Sequence, residues 1–273
     1  MAALSYPVPI WLPRRRRIVT PGEWLREKAE ERRHEREQAI SRAIAFEGSI
    51  ATPVTDTASI TTNAVAPVGR IHVVAVWNDP TATLTGASGG GLTWVADHQD
   101  VWAAIDDNIG FLSADAPAGL GSGVTITPTF SDSVDFGPGL CAFAFSGLEG
   151  GASGYLDGTP PADVEDFNEA WFTNDIVTTN PDCVLLACSS SDAASHAPIA
   201  NYPEVVGDFL SEGANRMVVV YRIVSAAATY NPGGDWGTLS FQHNTGLAYK
   251  AAAEQAEAGG YNRRFPLFRG ARG

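Results

Sequence analysis

Arg70-Ile71-His72-Val73-Val74-Ala75-Val76-Trp77 is the stretch on which the fold turns. Apolar, mostly β-branched residues follow one another with almost no polar alternation. The run is bounded by turn residues, Gly69 before it and Asn78-Asp79-Pro80 after it. A run this short is read as a strand, and one apolar on both sides as a strand covered on both faces. Met217-Val218-Val219-Val220-Tyr221-Arg222-Ile223-Val224 reads the same way. Around these two, short runs rich in Val, Ile, Thr and aromatics recur between glycine, proline and aspartate clusters, the pattern of an all-β body.

The expected strands are Ile50–Val54, Ser59–Ala64, Ile71–Trp77, Thr83–Thr85, Leu92–Ala96, Val101–Ile105, Gly110–Ser113, Val124–Phe130, Leu140–Phe145, Ala170–Thr178, Cys183–Ser189, Met217–Ser225 and Thr238–Gln242. This number of strands at close turn spacing predicts a mainly β fold, an antiparallel two-sheet sandwich of jelly-roll style. The segment 245–258 fits either a closing strand or a helix stopped by Gly259-Gly260; its alanine-rich composition tips the reading to helix.

Two flanks depart from the β pattern. Residues 1–20 carry Pro7, Pro9 and Pro13 and read as an extended arm. Thr20-Pro21-Gly22-Glu23 is a helix start with a capping residue and a proline in the first turn. The helix is expected to run to about Ala45, giving an arm (1–20), an anchoring helix (21–46), a β body (47–259) and a second arm (260–273). The helix is polar on every side through its middle turns, as in a helix that either bridges solvent or lies across a neighbouring subunit.

Charge follows the same division. The chain has 18 Lys and Arg against 31 Asp and Glu. Residues 1–44 hold 10 bases and 6 acids, and residues 260–273 hold 4 bases and no acid, which leaves 4 bases and 25 acids for residues 45–259. An acidic body repels nucleic acid and anionic membrane; basic ends dock on acidic protein surfaces, including further copies of the same body. The anchoring residues expected from this are Tyr6, Ile10, Trp11 and Leu12, the bases Arg14, Arg15, Arg16 and Arg17, then Trp24 and Leu25, and at the other end Arg263, Arg264, Phe265 and Phe268.

The remaining chemistry reads as structural. Cys141, Cys183 and Cys188 lie in apolar runs and are expected to be buried free thiols, as in a reducing cytosol. No run approaches the ~18 apolar residues of a membrane-spanning helix, and no secretory signal opens the chain. Gly86-Ala87-Ser88-Gly89-Gly90 matches a nucleophile-elbow pattern, but a strand rather than a helix is expected after it. His72 reads as a satisfied core residue and His98 as part of an exposed turn. His34, His196 and His243 complete the histidines, and none has metal-ligand spacing to another. Asp106-Asp107-Asn108 and Asp132-Ser133-Val134-Asp135 read as solvated turns rather than calcium loops. Trp77, Trp102, Trp171 and Trp236 read as core. No catalytic residue, cofactor or metal is expected.

Gly90-Gly91-Leu92-Thr93-Trp94, then Val101-Trp102-Ala103-Ala104, Ala116-Pro117-Ala118-Gly119, Val124-Thr125-Ile126-Thr127 and Ala142-Phe143-Ala144-Phe145-Ser146-Gly147-Leu148, taken in order, resemble a β-sandwich module of tailed-bacteriophage virion proteins. The likeness spans roughly residues 55–250. The tail Arg263-Arg264-Phe265-Pro266-Leu267-Phe268-Arg269-Gly270 resembles tails on minor tail proteins of phages that infect actinobacteria. The resemblance implies a non-enzymatic structural component of a virion, assembled in the host cytoplasm. It would sit among tail or capsid subunits, as a homo-oligomer in the particle. The alternatives within the same resemblance are a capsid decoration protein, and an adhesin that binds host-surface glycan through acidic loops containing Asp106, Asp107 and Asp135.

Overall fold

The computed structural model describes Arg26, Lys28 and residues 43–252, apart from 55–56, 80, 103–106, 135–138, 152, 193–196, 199–203 and 211–215. The chain divides into two units, Met1–Ser41 and Arg42–Gly273. Of the first, only Arg26 and Lys28 are described, both exposed. The expected arms at 1–20 and 260–273, and nearly all of the expected helix, lie outside the described residues.

The second unit is built from strands. In chain order they are β1 (Ala45–Ser49), β2 (Ile60–Thr61), β3 (Gly69–Trp77), β4 (Leu84–Ser88), β5 (Trp94–Trp102), β6 (Asp107–Ala116), β7 (Thr125–Phe130) and β8 (Gly139–Ser146). There follow β9 (Val164–Phe172), β10 (Ile176–Val177), β11 (Cys183–Ser191), β12 (Ala197–Pro198), β13 (Glu204–Leu210), β14 (Arg216–Val224), β15 (Thr229–Tyr230) and β16 (Gly233–Lys250). A first large sheet has the order β1-β8-β3-β6-β5, and a second the order β12-β16-β11-β14-β13, with β9 also on β16. A small sheet runs β2-β7-β4, and β10 pairs with β15. The paired strands are antiparallel, so the body is mainly β and sandwich-like.

The unbroken apolar run in β3 has a direct structural cause. Ile71, Val73, Ala75 and Trp77 face the small sheet, in a core shared with Leu112, Ile126 and Leu140. Val74 and Val76 face the second large sheet, in a core shared with Phe111, Phe143, Leu186, Val219 and Leu247. A strand with apolar layers on both sides needs apolar residues at every position. β11 is likewise buried throughout: Val184, Leu186 and Cys188 point between the large sheets, and Ala187 points outward onto Trp171 and Trp236. All four tryptophans expected in the core are buried there, as are the three free cysteines.

Three expectations are corrected. The helix expected to reach about Ala45 cannot do so, because Ala45 and Phe46 belong to β1, which pairs with β8. The Phe46 ring lies 4.7 Å from that of Tyr221, and Ile44 packs on the same core. The helix reading of 245–258 fails where the segment is described: Thr245–Lys250 are strand, paired with Cys188–Cys183 of β11. Alanine-rich composition loses to pairing and burial. Leu247 and Tyr249 fill the core, and at Gly246 an added Cβ would stand 2.7 Å from the Leu186 carbonyl oxygen. The strands expected at Leu92–Ala96 and Val101–Ile105 are one strand, β5, made continuous by a bulge between Ala96 and His98.

Asp157 fastens the chain where it passes from the first large sheet to the second. Its carboxylate accepts from the Thr179 N–H (2.8 Å) and hydroxyl (2.6 Å), the Asn180 N–H (3.0 Å) and side-chain amide (2.7 Å), and the Cys183 thiol (3.2 Å). Burial by itself pushes this carboxyl up, but the donors outweigh it and hold the group down to about 2. A folded-state value below the unfolded one contributes stability above pH ~4 that is lost as pH falls towards 2. Asp157→Ala is therefore expected to lower stability at pH 7 by about 2 kcal/mol, and to flatten the acid limb of a urea-melt series between pH 4 and 2. An unchanged acid limb would show that the carboxylate is not the acid-sensitive fastening.

Candidate functional site

None of the residues expected to anchor partners lies within the described part: Tyr6, Ile10, Trp11, Leu12, Arg14–Arg17, Trp24, Leu25, Arg263, Arg264, Phe265 and Phe268 are all outside it, as are Asp106, Asp135, His34 and His196. Of the two acidic loops, Asp132 is an exposed bend residue whose Oδ1 accepts the Ser133 N–H. Gly86–Ser88 of the elbow pattern belong to β4, and β5 follows the turn after them.

What the structure brings together instead is a line of ionisable groups between the two large sheets, on the side where β5 and β6 face β16. Strict alternation would put Asp97 and His98 on opposite faces of β5. The bulge turns both inward. Asp97 accepts from the hydroxyls of Tyr155 and Tyr249, each at 2.5 Å. Nearby, Arg70 is buried: its Nε donates to Ser113 Oγ (2.8 Å), its Nη1 to the carbonyls of Gly151 (3.1 Å) and Glu149 (3.3 Å), and its guanidinium lies 3.3 Å over the Tyr155 ring. Burial raises the Asp97 carboxyl, against the pull of Ser113, Tyr155, Tyr249 and Arg70. Burial and the Asp97 carboxyl together push the Tyr155 hydroxyl up to about 12.

Further along, His98 Nε2 lies 2.6 Å from Asp100 Oδ2 and 3.0 Å from Thr245 Oγ1, and the Thr245 hydroxyl donates to the same Asp100 oxygen. Burial raises the Asp100 carboxyl, but hydrogen bonds from His98 and Thr245, with attraction to His98 and His243, bring it below its ordinary value. His98 is thus a half-buried strand residue in a polar cluster, not an exposed turn.

His243, fully buried, closes the line between two carboxylates. Its Nδ1 is 3.8 Å from Asp107 Oδ2 and its Nε2 is 3.2 Å from Asp163 Oδ2. The Trp102 ring lies 6.1 Å away, nearly edge-on. Asp107 and Asn108, expected in a solvated turn, are in fact buried strand residues of β6, so Asp107 is not available to a soluble glycan. The two ring nitrogens face opposite carboxylates, and among the described residues neither makes a hydrogen bond. Among the described residues no group of three or more His, Cys, Asp or Glu has the geometry to hold a metal.

His72 is a core residue as expected, but it is not satisfied: among the described residues neither ring nitrogen has a hydrogen-bond partner. Its ring is stacked on Phe143 at 5.5 Å and meets Tyr249 edge-on at 4.5 Å. Burial, then the charge of Arg70, push it well below its ordinary value, so it is neutral.

The solvent-exposed residues of β9 and β16 have the opposite character. Residues Glu165–Glu169 of β9 are all exposed, and among the described residues β9 pairs only with β16. Phe167 is 50% exposed, Phe241 49%, Phe172 45% and Leu239 60%. The Phe167 and Phe241 rings lie 4.9 Å apart. A groove of about 390 Å³ is lined by Val164, Asp166, Asn168, Glu169, Ala170, Phe172 and Leu239, with neither Phe167 nor Phe241 in its wall. Leu239 reaches it because β16 loops outward between Asp235 and Ser240, a bulge that composition does not announce. Val164, Ala170, Phe172 and Leu239 beside Asp166 and Glu169 make this groove both apolar and acidic. The sequence signal was Glu165-Asp166-Phe167-Asn168-Glu169, which alternation patterns for a half-buried strand do not fit.

No family model matches the chain, and neither a curated protein nor a solved structure matches it at a significant level.

The interior line of charges has a measurable consequence. Burial raises the Asp107 carboxyl to about 6, with His243, Ser190 and the Asn108 N–H pulling it back. The folded chain therefore keeps a proton that the unfolded chain releases near pH 4. The associated stability is complete below pH ~4 and is lost as pH rises through 6. Relative to Asp107→Asn, the unsubstituted protein is expected to lose about 3 kcal/mol between pH 4 and pH 7 in urea melts. Parallel profiles for the two proteins would remove Asp107 from this role.

Proposed function

We propose that this chain is a non-enzymatic structural component of a tailed-phage virion, a minor tail protein whose body is an outward β-sandwich. The sandwich is jelly-roll-like in stacking two antiparallel sheets face to face. The N-terminal arm and helix, with the basic C-terminal arm, grip neighbouring tail subunits. The same grips would serve a decoration protein on the head.

The observation that carries this reading is the inversion of chemistry between inside and outside. The side chains capable of acid–base work, His98, Asp100, Asp107 and His243, are directed at one another between the sheets. The described exterior offers instead phenylalanines and carboxylates on an open strand. The ends of the chain carry the complement, arginines interspersed with Trp, Leu and Phe. Each such apolar side chain seated in a partner is worth on the order of 1.5–3 kcal/mol before ordering costs, and symmetric repetition in a particle multiplies weak contacts into avidity.

The boundary of the second unit sets the test. A chain starting at Arg42 keeps Ile44, Phe46 and the pairing of β1 with β8. Deleting residues 1–41 is expected to leave a folded, soluble body that no longer joins particles when it is supplied in place of the full chain during infection. Incorporation of the truncated chain at the level of the full chain would reject the N-terminal grip.

A further inference from the structure

The geometry points to the β9–β16 groove as the receptor for the C-terminal arm, residues 260–273, of a second copy of this chain; the inference rests on the reading of the ends as grips. Three observations select this occupant. The groove is both apolar and acidic: Phe172, Leu239, Val164 and Ala170 line it together with Asp166 and Glu169. The C-terminal arm holds 4 bases and no acid, with Phe265, Leu267 and Phe268 among them. In an extended chain, alternate residues share a side about 6.8 Å apart, so Arg263, Phe265, Leu267 and Arg269 present a basic–apolar–apolar–basic row. Such a row matches a strand whose alternate residues Val164, Asp166, Asn168, Ala170 and Phe172 line the groove. Arginine also suits carboxylate partners, since its planar fork binds them with two parallel hydrogen bonds.

One further point argues against another occupant. A second β9 is repelled, because Glu165, Asp166 and Glu169 would meet their own copies; Asp166 Oδ1 also accepts the Phe167 N–H at 2.7 Å. The chain's own arm leaves from Ala252, whose N–H donates to the Gly147 carbonyl. Val164 lies opposite Asn244, eight residues or roughly 26 Å back along the strand. The eleven residues from Ala252 to Arg263 span up to about 36–40 Å, so closure onto the same chain is the competing occupant that the test separates.

The test uses full-length chains. Asn168→Cys and Leu267→Cys proteins are mixed under mild oxidation; the native cysteines are buried. A disulfide-linked dimer is expected from the mixture. It should be lost when the first chain also carries Asp166→Lys and Glu169→Lys, lost equally when the second carries Arg263→Glu and Arg269→Glu, and restored when both sets are combined. Three results would overturn the proposal: equal cross-linking to Thr61→Cys, an exposed position on the small sheet; closure within one chain when both cysteines are placed in it; or preferential capture of Trp11→Cys, which would give the groove to the N-terminal arm. The contact is read on purified protein, so a cross-link without particle incorporation would sink the virion reading and leave this contact standing.

Discussion

Charge held out of water between two stacked sheets is the constraint on which the rest of this body depends. Arg70, Asp107 and His243 are buried, and the half-buried Asp97 and Asp100 bond to residues of β16 in the facing sheet. An ion there is tolerated only with partners, since desolvation costs several kcal/mol per group. The partners come from both sheets: Tyr155 and Tyr249 for Asp97, and Thr245 for Asp100 and His98, while His243 approaches Asp107 to 3.8 Å without a hydrogen bond. These pairings tie β5 and β6 to β16 in one register, because a slip of one residue would turn every partner to the other face. The apolar half of the same layer, with Phe111, Phe143, Val219 and Leu247, supplies burial without any such directional demand.

That division explains how a chain with so acidic a body folds. Some of its carboxylates are hydrogen-bonded inside by hydroxyls, Asp97 by Tyr155 and Tyr249 and Asp100 by Thr245, and Asp157 is held by five donors. Many of the remaining carboxylates are left on the surface, where their mutual repulsion is screened by salt within about 8–10 Å. β9 gathers Glu165, Asp166 and Glu169 on a strand that extends the second sheet. Negative charge there discourages edge-to-edge aggregation of identical copies and leaves the strand open to a basic one.

Much of the fold was legible because burial leaves a mark on composition. β3, β8, β11 and β14 are covered enough to be apolar at nearly every position, and their sequences say so. The tryptophans and cysteines were legible for the same reason. Strands whose residues face water or polar neighbours left weaker marks. β9 was expected only in its last residues, β13 not at all, and the far end of β16 read as helix because alanine favours helix locally. The interior charges were misplaced for a related reason. His98, Asp107 and Asn108 are surrounded in sequence by turn-like polar residues, and nothing nearby reveals that Thr245 and His243 will face them.

The amino-acid sequence by itself determined the β class, the double coverage of the central strand, the buried thiols and the separation of an acidic body from basic ends. These follow from composition and short-range periodicity, which local chemistry decides. Only the tertiary structure decided that Asp97 and His98 point the same way, that His243 stands between two carboxylates, and that Phe172 and Leu239 share one groove with Asp166 and Glu169. Each of these depends on a bulge or on the pairing of residues far apart in the chain, and such placements are set by where whole sheets meet rather than by any neighbouring residue.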